Sequence, residues 1–312
     1  MSEVNKGKYV DIPAQIAQEG DNDWRHGLYP SARMNYSRAA KMYNENEDYQ
    51  GEAQVLNRMA ELELSLEKYD DAEKLLKNSL EVVRHLTDAE TTHAETLILL
   101  SKVHTAKYDM EEALNIIKQS EKLFSASGGI LLGDCYDQEA YIHLIMGNDA
   151  KALEAYKKAA AVFAAEHTGL KEAAVLRAMA RIEMKFQHYE VAHDYLEKCR
   201  ELYRENGDVL GEASALSAIG CLRYIIRDIE NARKALMKSV YLYGKVSHHF
   251  AEAEALLYLA RVESYNREEG DFERAKSHYK KSIELYDFLQ NETMKNAVMD
   301  EYENFVKREM IK

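Results

Sequence analysis

Large apolar residues recur with helical spacing along nearly the whole chain, in seven similar stretches. In each stretch an alanine is followed by a large apolar residue or tyrosine four and eleven residues later, and by a small residue seven later. These offsets share one face of a helix with 3.6 residues per turn. The separations between successive alanines are 40, 41, 39, 40, 40 and 43 residues, and the alanines are Ala32, Ala72, Ala113, Ala152, Ala192, Ala232 and Ala275.

A second helix is predicted before each of these alanines. Twelve residues before the alanine, six stretches carry a small residue: Gly20, Ala60, Ser101, Ala140, Ala180 and Gly220. In the seventh stretch the small residue is Ala260, because three extra residues precede Ala275, and we expect "NREEG" at 266–270 to project as a polar loop. Each stretch therefore predicts two helices, A and B, joined by a turn. Such pairs bury their apolar faces by stacking on neighbouring pairs.

The small residue, the alanine twelve positions later, the bulky residue four beyond it and the small residue three beyond that resemble the tetratricopeptide repeat (TPR). The period near 40 exceeds the usual ~34 and is similar to the extended repeats of kinesin light chains, rapsyn and Pins-type scaffolds. This resemblance implies an all-α, right-handed α-solenoid of about seven helix pairs in a single domain, 1–312. The expected repeats are 11–49, 50–88, 89–129, 130–168, 169–208, 209–249 and 250–290, followed by a capping helix at 291–312.

Composition narrows the class of partner and the compartment. A net charge of -13 argues against nucleic acid and against an anionic membrane surface, since both favour a basic protein surface. The sequence has no run of about 18 apolar residues and no apolar core of signal-peptide type near its start. Three cysteines without a C-x-x-C pair fit a reducing environment. We therefore expect a cytoplasmic protein, and family usage suggests a cytoskeletal association.

Two sets of residues in the sequence are candidates for catalytic or metal chemistry. Three residues past the small residue, successive A helices carry Glu63, His104, His143, Glu183, Arg223 and Glu263. Glutamate and histidine are zinc ligands, but one ligand per repeat lies too far from the next to share an ion. We expect a ladder of ion pairs instead, with Arg223 between Glu183 and Glu263. The cysteines have no sequence context that lowers a thiol pKa. We expect no enzyme, no cofactor and no metal.

Function is therefore expected to lie in a binding surface. The resemblance implies that A helices line a concave groove, with groove positions one residue after the small residue, three before it, and four or five after it. The predicted partner-binding residues are Lys102, Tyr141, Arg177, Arg181, Lys185, Tyr224, Arg261 and Tyr265. A basic groove favours an acidic extended or helical segment of another protein. We predict an interaction scaffold or adaptor. Two alternatives stay open: a ligand- or peptide-sensing regulator that changes shape, and arginines that merely pair with neighbouring glutamates.

Overall fold

The computed structural model describes residues 11–87, 89–124, 129–265 and 271–310, and within them it contains fifteen α-helices and no strand. The predicted loop at 266–270 lies outside the described residues, as do residues 125–128 of the joint between the third and fourth repeats. The chain divides into two compact units, Met1–Val162 and Phe163–Lys312, which are described separately. The single domain stays a prediction.

The helices follow the predicted repeats, with odd-numbered A helices and even-numbered B helices. The first unit contains α1 (Ile12–Arg25), α2 (Tyr29–Glu45), α3 (Tyr49–Ser65), α4 (Tyr69–Val83), α5 (Glu90–Ala106), α6 (Met110–Phe124), α7 (Ile130–Ile145) and most of α8 (Asp149–Ala165). The second contains α9 (Gly169–Lys185), α10 (Tyr189–Glu205), α11 (Val209–Ile225), α12 (Ile229–Lys245), α13 (His249–Glu263), α14 (Asp271–Phe288) and α15 (Glu292–Met310). The predicted all-α solenoid of helix pairs is confirmed.

The predicted apolar face of the B helices forms the core. All seven repeat alanines are completely buried, from Ala32 to Ala275. The residues four and eleven positions further on are buried as well, including the tyrosines that occupy these places in five of the seven repeats. Since the neighbours of each alanine are large, its small side chain is what lets the adjacent helix approach closely.

The small residues in the middle of this face also form hydrogen bonds. Where the residue is a serine, its hydroxyl donates to a backbone carbonyl of the A helix in the same repeat. The Oγ–O distances are 3.3 Å for Ser79 and Ala53, 3.2 Å for Ser120 and Ala94, 2.8 Å for Ser239 and Ala213, and 2.8 Å for Ser282 and Ala253. The sequence pattern predicted only close packing here, and the structure adds a polar contact between paired helices.

Most described helices end in the same turn, whichever helix follows. The second residue after the helix end takes a left-handed backbone conformation, and this position recurs at residues 27, 47, 67, 108, 147, 167, 187, 207, 227, 247 and 290. Only three of these residues are glycine. For a residue with a side chain, this conformation costs roughly 1–2 kcal/mol of free energy.

Gly207→Ala is expected to destabilise the second unit by about 1 kcal/mol, measured by urea denaturation. The glycine has φ +70°, and an added Cβ would meet no atom within 4 Å, so backbone strain is the only cost. Gly244→Ala is the matched control. This glycine lies inside α12, where alanine is the better helix former, so the substitution should stabilise by about 0.5–1 kcal/mol. Equal effects of the two substitutions would contradict this account.

The last helix, α15, caps the seventh repeat as predicted. Val298 is buried, and Met294, Tyr302 and Phe305 pack against the apolar cluster formed by α13 and α14. Ala297 was predicted on the same face but is exposed, because it lies at the edge of the stripe centred on Val298. None of the described helices is long and apolar enough to cross a membrane.

Candidate partner-binding groove

In the first unit, two of the predicted groove residues line one cavity. Lys102 of α5 and Tyr141 of α7 lie at a cavity of about 470 Å³, together with Tyr69 and Tyr108. Tyr141 is 48% exposed and Tyr108 is 82% exposed, so neither side chain belongs to the core. This cavity therefore offers aromatic surface and one cation.

In the second unit, Arg177 and Arg181 of α9 line a cavity of about 480 Å³. Arg177 Nη1 donates to Ser214 Oγ of α11 at 2.9 Å. Arg181 is exposed and makes no ion pair or hydrogen bond with any residue that the structure describes. Lys185, predicted on the same face of α9, is exposed but is not among the residues that line this cavity.

The predicted tyrosines of the second unit contact each other. Tyr224 of α11 and Tyr265, just after α13, meet edge to face with ring centroids 6.5 Å apart. The Arg227 guanidinium lies 4.7 Å from the centroid of the Tyr265 ring. Arg227 was missed by the sequence reasoning because it lies in the turn after α11, outside the predicted groove positions.

Arg261 is already bound within the chain. It donates from Nε and Nη2 to the Glu301 carboxylate of α15 at 2.8 and 2.7 Å, and its guanidinium lies 5.1 Å from the Tyr258 ring centroid. The Tyr279 hydroxyl donates to the same carboxylate at 2.8 Å. The hydrogen bond from Arg261 holds the pKa of Glu301 below its usual value. At this position the arginine pairs with a neighbouring glutamate, as the competing interpretation expected.

Three members of the expected A-helix ladder pair with the preceding B helix. The paired residues lie 30 positions apart: Arg33 with Glu63 at 2.5 Å, His193 with Arg223 at 2.6 Å, and Arg233 with Glu263 at 3.0 Å. The predicted placement of Arg223 between Glu183 and Glu263 is wrong. Arg223 contacts His193 and Asp228 because the first residue after the repeat alanine faces the next A helix. Among the described residues, no three His, Cys, Asp or Glu side chains cluster as metal ligands would.

The cysteines are protonated thiols at neutral pH. Burial raises the pKa of Cys135 to about 11, and the pKa values of Cys199 and Cys221 to about 12. Because the thiolate is the nucleophilic form, these thiols are poorly suited to nucleophilic catalysis.

Residues 51–126, which include most of α3 and all of α4 to α6, match the family model of the tetratricopeptide repeat. The sequence has no match among curated proteins. The match covers two of the seven helix pairs.

Solved structures resemble the chain over a longer range. A signal transduction ATPase with numerous domains (STAND) from Pyrococcus horikoshii, described as having a tetratricopeptide repeat sensor, is 19% identical with a TM-score of 0.73. That alignment covers 95% of this chain and 44% of the ATPase. The apo form of RapI is 15% identical with a TM-score of 0.71, over 89% of this chain and 77% of RapI.

The TPR-like repeats of a putative kinesin light chain from Podosopora anserina are 14% identical with a TM-score of 0.51, over 62% of this chain and 96% of that one. At these identities the three similarities show the fold. The fold is that of a TPR solenoid, and the predicted resemblance to TPR proteins such as kinesin light chain is confirmed.

Proposed function

We propose that the protein is a non-enzymatic interaction scaffold or adaptor that holds a segment of a partner protein against its A helices. The observation that carries this proposal is the pair Arg177 and Arg181, one turn apart on α9 at a cavity of about 480 Å³. Arg181 lacks any partner among the described residues. An exposed guanidinium beside a cavity is free to bind an incoming carboxylate.

The chemistry of these groups favours an acidic extended or helical segment. Guanidinium groups bind carboxylates through two parallel hydrogen bonds, which fixes orientation as well as charge. Tyr224 lies three residues after Cys221, which lines the cavity, so Tyr224 continues that face of α11, and the Tyr265 ring contacts it from the end of α13. Tyrosines of this kind are enriched where interfaces gain most binding energy. The expected compartment is the cytoplasm, with a cytoskeletal association suggested by family usage.

A ligand- or peptide-sensing regulator is the second candidate. It is supported by the similarity to a structure described as a tetratricopeptide repeat sensor, and by cavities of about 470 and 480 Å³, a size typical of ligand pockets. A sensor must change shape when its groove is filled. Small-angle X-ray scattering of the protein with and without its bound segment would detect that change, and an unchanged curve would favour the rigid scaffold.

Reversing both charges in Arg177→Glu with Arg181→Glu is expected to abolish capture of the partner. The two new carboxylates would repel an acidic segment, while the melting temperature should hardly change because both side chains are exposed. The measurement is affinity capture from lysate followed by thermal denaturation of the variant. Arg204→Glu is the matched control, since Arg204 is an exposed arginine on α10 away from the cavity.

A captured partner should then be tested by the opposite substitution. Replacing acidic residues of its bound segment with lysine should restore binding to the doubly reversed variant. If that variant captures the same partners as the unmodified protein at raised salt, the groove of α9 is not the binding site.

A further inference from the structure

The cavity lined by Arg177 and Arg181 is also lined by a glutamate. Glu254 of α13 lines it together with Arg177 and Arg181 of α9, while α11 contributes Ser214, Ser217 and Cys221. Glu254 makes no ion pair or hydrogen bond with any residue in the described part of the chain. The cavity is therefore lined by a cation, Arg181, and an anion, Glu254, and neither forms an ion pair with the other or with another described residue.

Glutamates two residues earlier in these A helices do have lysine partners. Glu172, Glu212 and Glu252 each pair with a lysine of the B helix in their own repeat, at 2.5, 2.8 and 3.0 Å. Glu254 lies two residues after Glu252, so it faces away from that lysine and into the groove. Glu172, Glu212 and Glu252 therefore each have a lysine counterion, whereas Glu254 has none among the described residues.

The surroundings of Glu254 disfavour its charge. Burial raises the pKa of its carboxyl group, and the effect of the nearby His248 offsets this only in part. A uniformly acidic segment in the cavity would add like charge and further desolvation to this carboxylate. A cationic group beside Glu254 would have the opposite effect, because opposite charges attract more strongly in a partly desolvated site.

We propose that this cavity recognises a peptide segment of mixed charge, with an acidic side chain bound by Arg181 and a lysine or arginine side chain bound by Glu254. Arg177, held by Ser214, supplies a second donor to the acidic group. This inference rests on the proposed function and narrows its partner from an acidic segment to one that carries both signs within a short stretch.

The test uses the purified 312-residue protein and short fluorescent synthetic peptides at low ionic strength. The peptides share a background of alanine, serine and tyrosine, and differ at two positions of varied spacing. These positions carry one Glu and one Lys, two Glu, two Lys, or two Gln. Fluorescence anisotropy measures each dissociation constant for the unmodified protein, Arg181→Gln and Glu254→Gln. Arg204→Gln and Glu201→Gln are matched controls, since both side chains are exposed on α10 and do not line the cavity.

At the best spacing, the Glu/Lys peptide should bind about tenfold more tightly than the peptide with two Glu, which corresponds to about 1.4 kcal/mol. Glu254→Gln should remove the advantage of the Lys and improve binding of the peptide with two Glu. Arg181→Gln should remove the advantage of the Glu. The two controls should retain the preference of the unmodified protein, and circular dichroism should show an unchanged fold for all four variants.

The failures of this inference and of the proposed function are distinguishable. Tightest binding of the peptide with two Glu would overturn the mixed-charge inference and leave the scaffold function standing. Absence of binding by every peptide, with partner capture still abolished by reversal of Arg177 and Arg181, would also overturn the inference alone. Absence of peptide binding together with partner capture that survives the reversal would overturn both.

Discussion

Glu263→Ala is expected to lower the free energy of unfolding by about 2–4 kcal/mol. The Glu263 side chain is only 1% exposed and accepts hydrogen bonds from Arg233 at 3.0 Å and Arg274 at 3.3 Å. The buried Asp271 contacts the same two arginines. Removing the Glu263 carboxylate leaves Arg233 and Arg274 to share one buried carboxylate, that of Asp271. The expected loss is below the upper end of the roughly 3–5 kcal/mol typical of buried pairs, because Arg274 is half exposed and can be rehydrated.

Urea denaturation of the purified chain measures this loss. Glu263→Gln retains the size of the side chain but removes its negative charge. It should still cause most of the loss in free energy of unfolding, because Arg233 and Arg274 would lack that counter-charge. Glu273→Ala is the control on the same repeat: this glutamate is 70% exposed, and its removal should change stability by no more than about 0.5 kcal/mol. A loss below about 1 kcal/mol in both Glu263 variants would show that the cluster is dispensable.

Leu236→Ala is expected to cost about 2–5 kcal/mol, through lost apolar burial and the cavity left behind. Leu236 of α12 is completely buried and lies against Gly220 of α11.

Lys74→Ala is the exposed control and should cost at most about 0.5 kcal/mol. Glu73, the neighbouring residue, is unsuitable as a control because it accepts hydrogen bonds from Lys77 and Lys107 that lower its pKa to about 2. Equal losses at Leu236 and Lys74 in urea melts would contradict the repeat assignment.

The contact of Leu236 with Gly220 makes a second substitution informative. A Cβ at position 220 would lie 2.5 Å from Leu236 Cγ, so Gly220→Ala alone should destabilise by about 1–3 kcal/mol. In the Leu236→Ala background the same change should cost less, because the leucine is gone and only the Ala232 carbonyl oxygen, 3.3 Å from the added Cβ, remains close. Strictly additive losses would show that the two residues do not share this contact.

The sequence predicted the buried residues well because helical periodicity is a local property. The repeat alanines, the tyrosines of the B helices and the small residues of the A helices all lie where the spacing places them. Polar side-chain pairs between helices were less predictable because they depend on which helices pack together. A usable signal did exist: Arg33, His193 and Arg233 directly follow repeat alanines, 30 residues before their partners.

The partner-binding groove stays a prediction, and the structure shows only where its residues lie. Arg177 and Arg181 occupy expected positions, and the structure brings them to one cavity. Glu254 was missed because it lies six residues before Ala260, one turn beyond the positions considered. Arg261 was counted as a groove residue, although Glu301 lies 40 residues further on, at the equivalent place in α15. Treating the capping helix as an eighth A helix would have revealed that pair.

The side-chain links between helices have a kinetic consequence. Serine hydroxyls reach carbonyls 26 or 29 residues away, and the repeated polar side-chain pairs join residues 30 apart. Closing such short loops costs little chain entropy, so folding is expected to be fast and able to start in more than one repeat. The same locality limits cooperativity. Breaking the links around Glu263 should accelerate amide hydrogen exchange in α13 and α14 first, while α3 and α4 keep their protection.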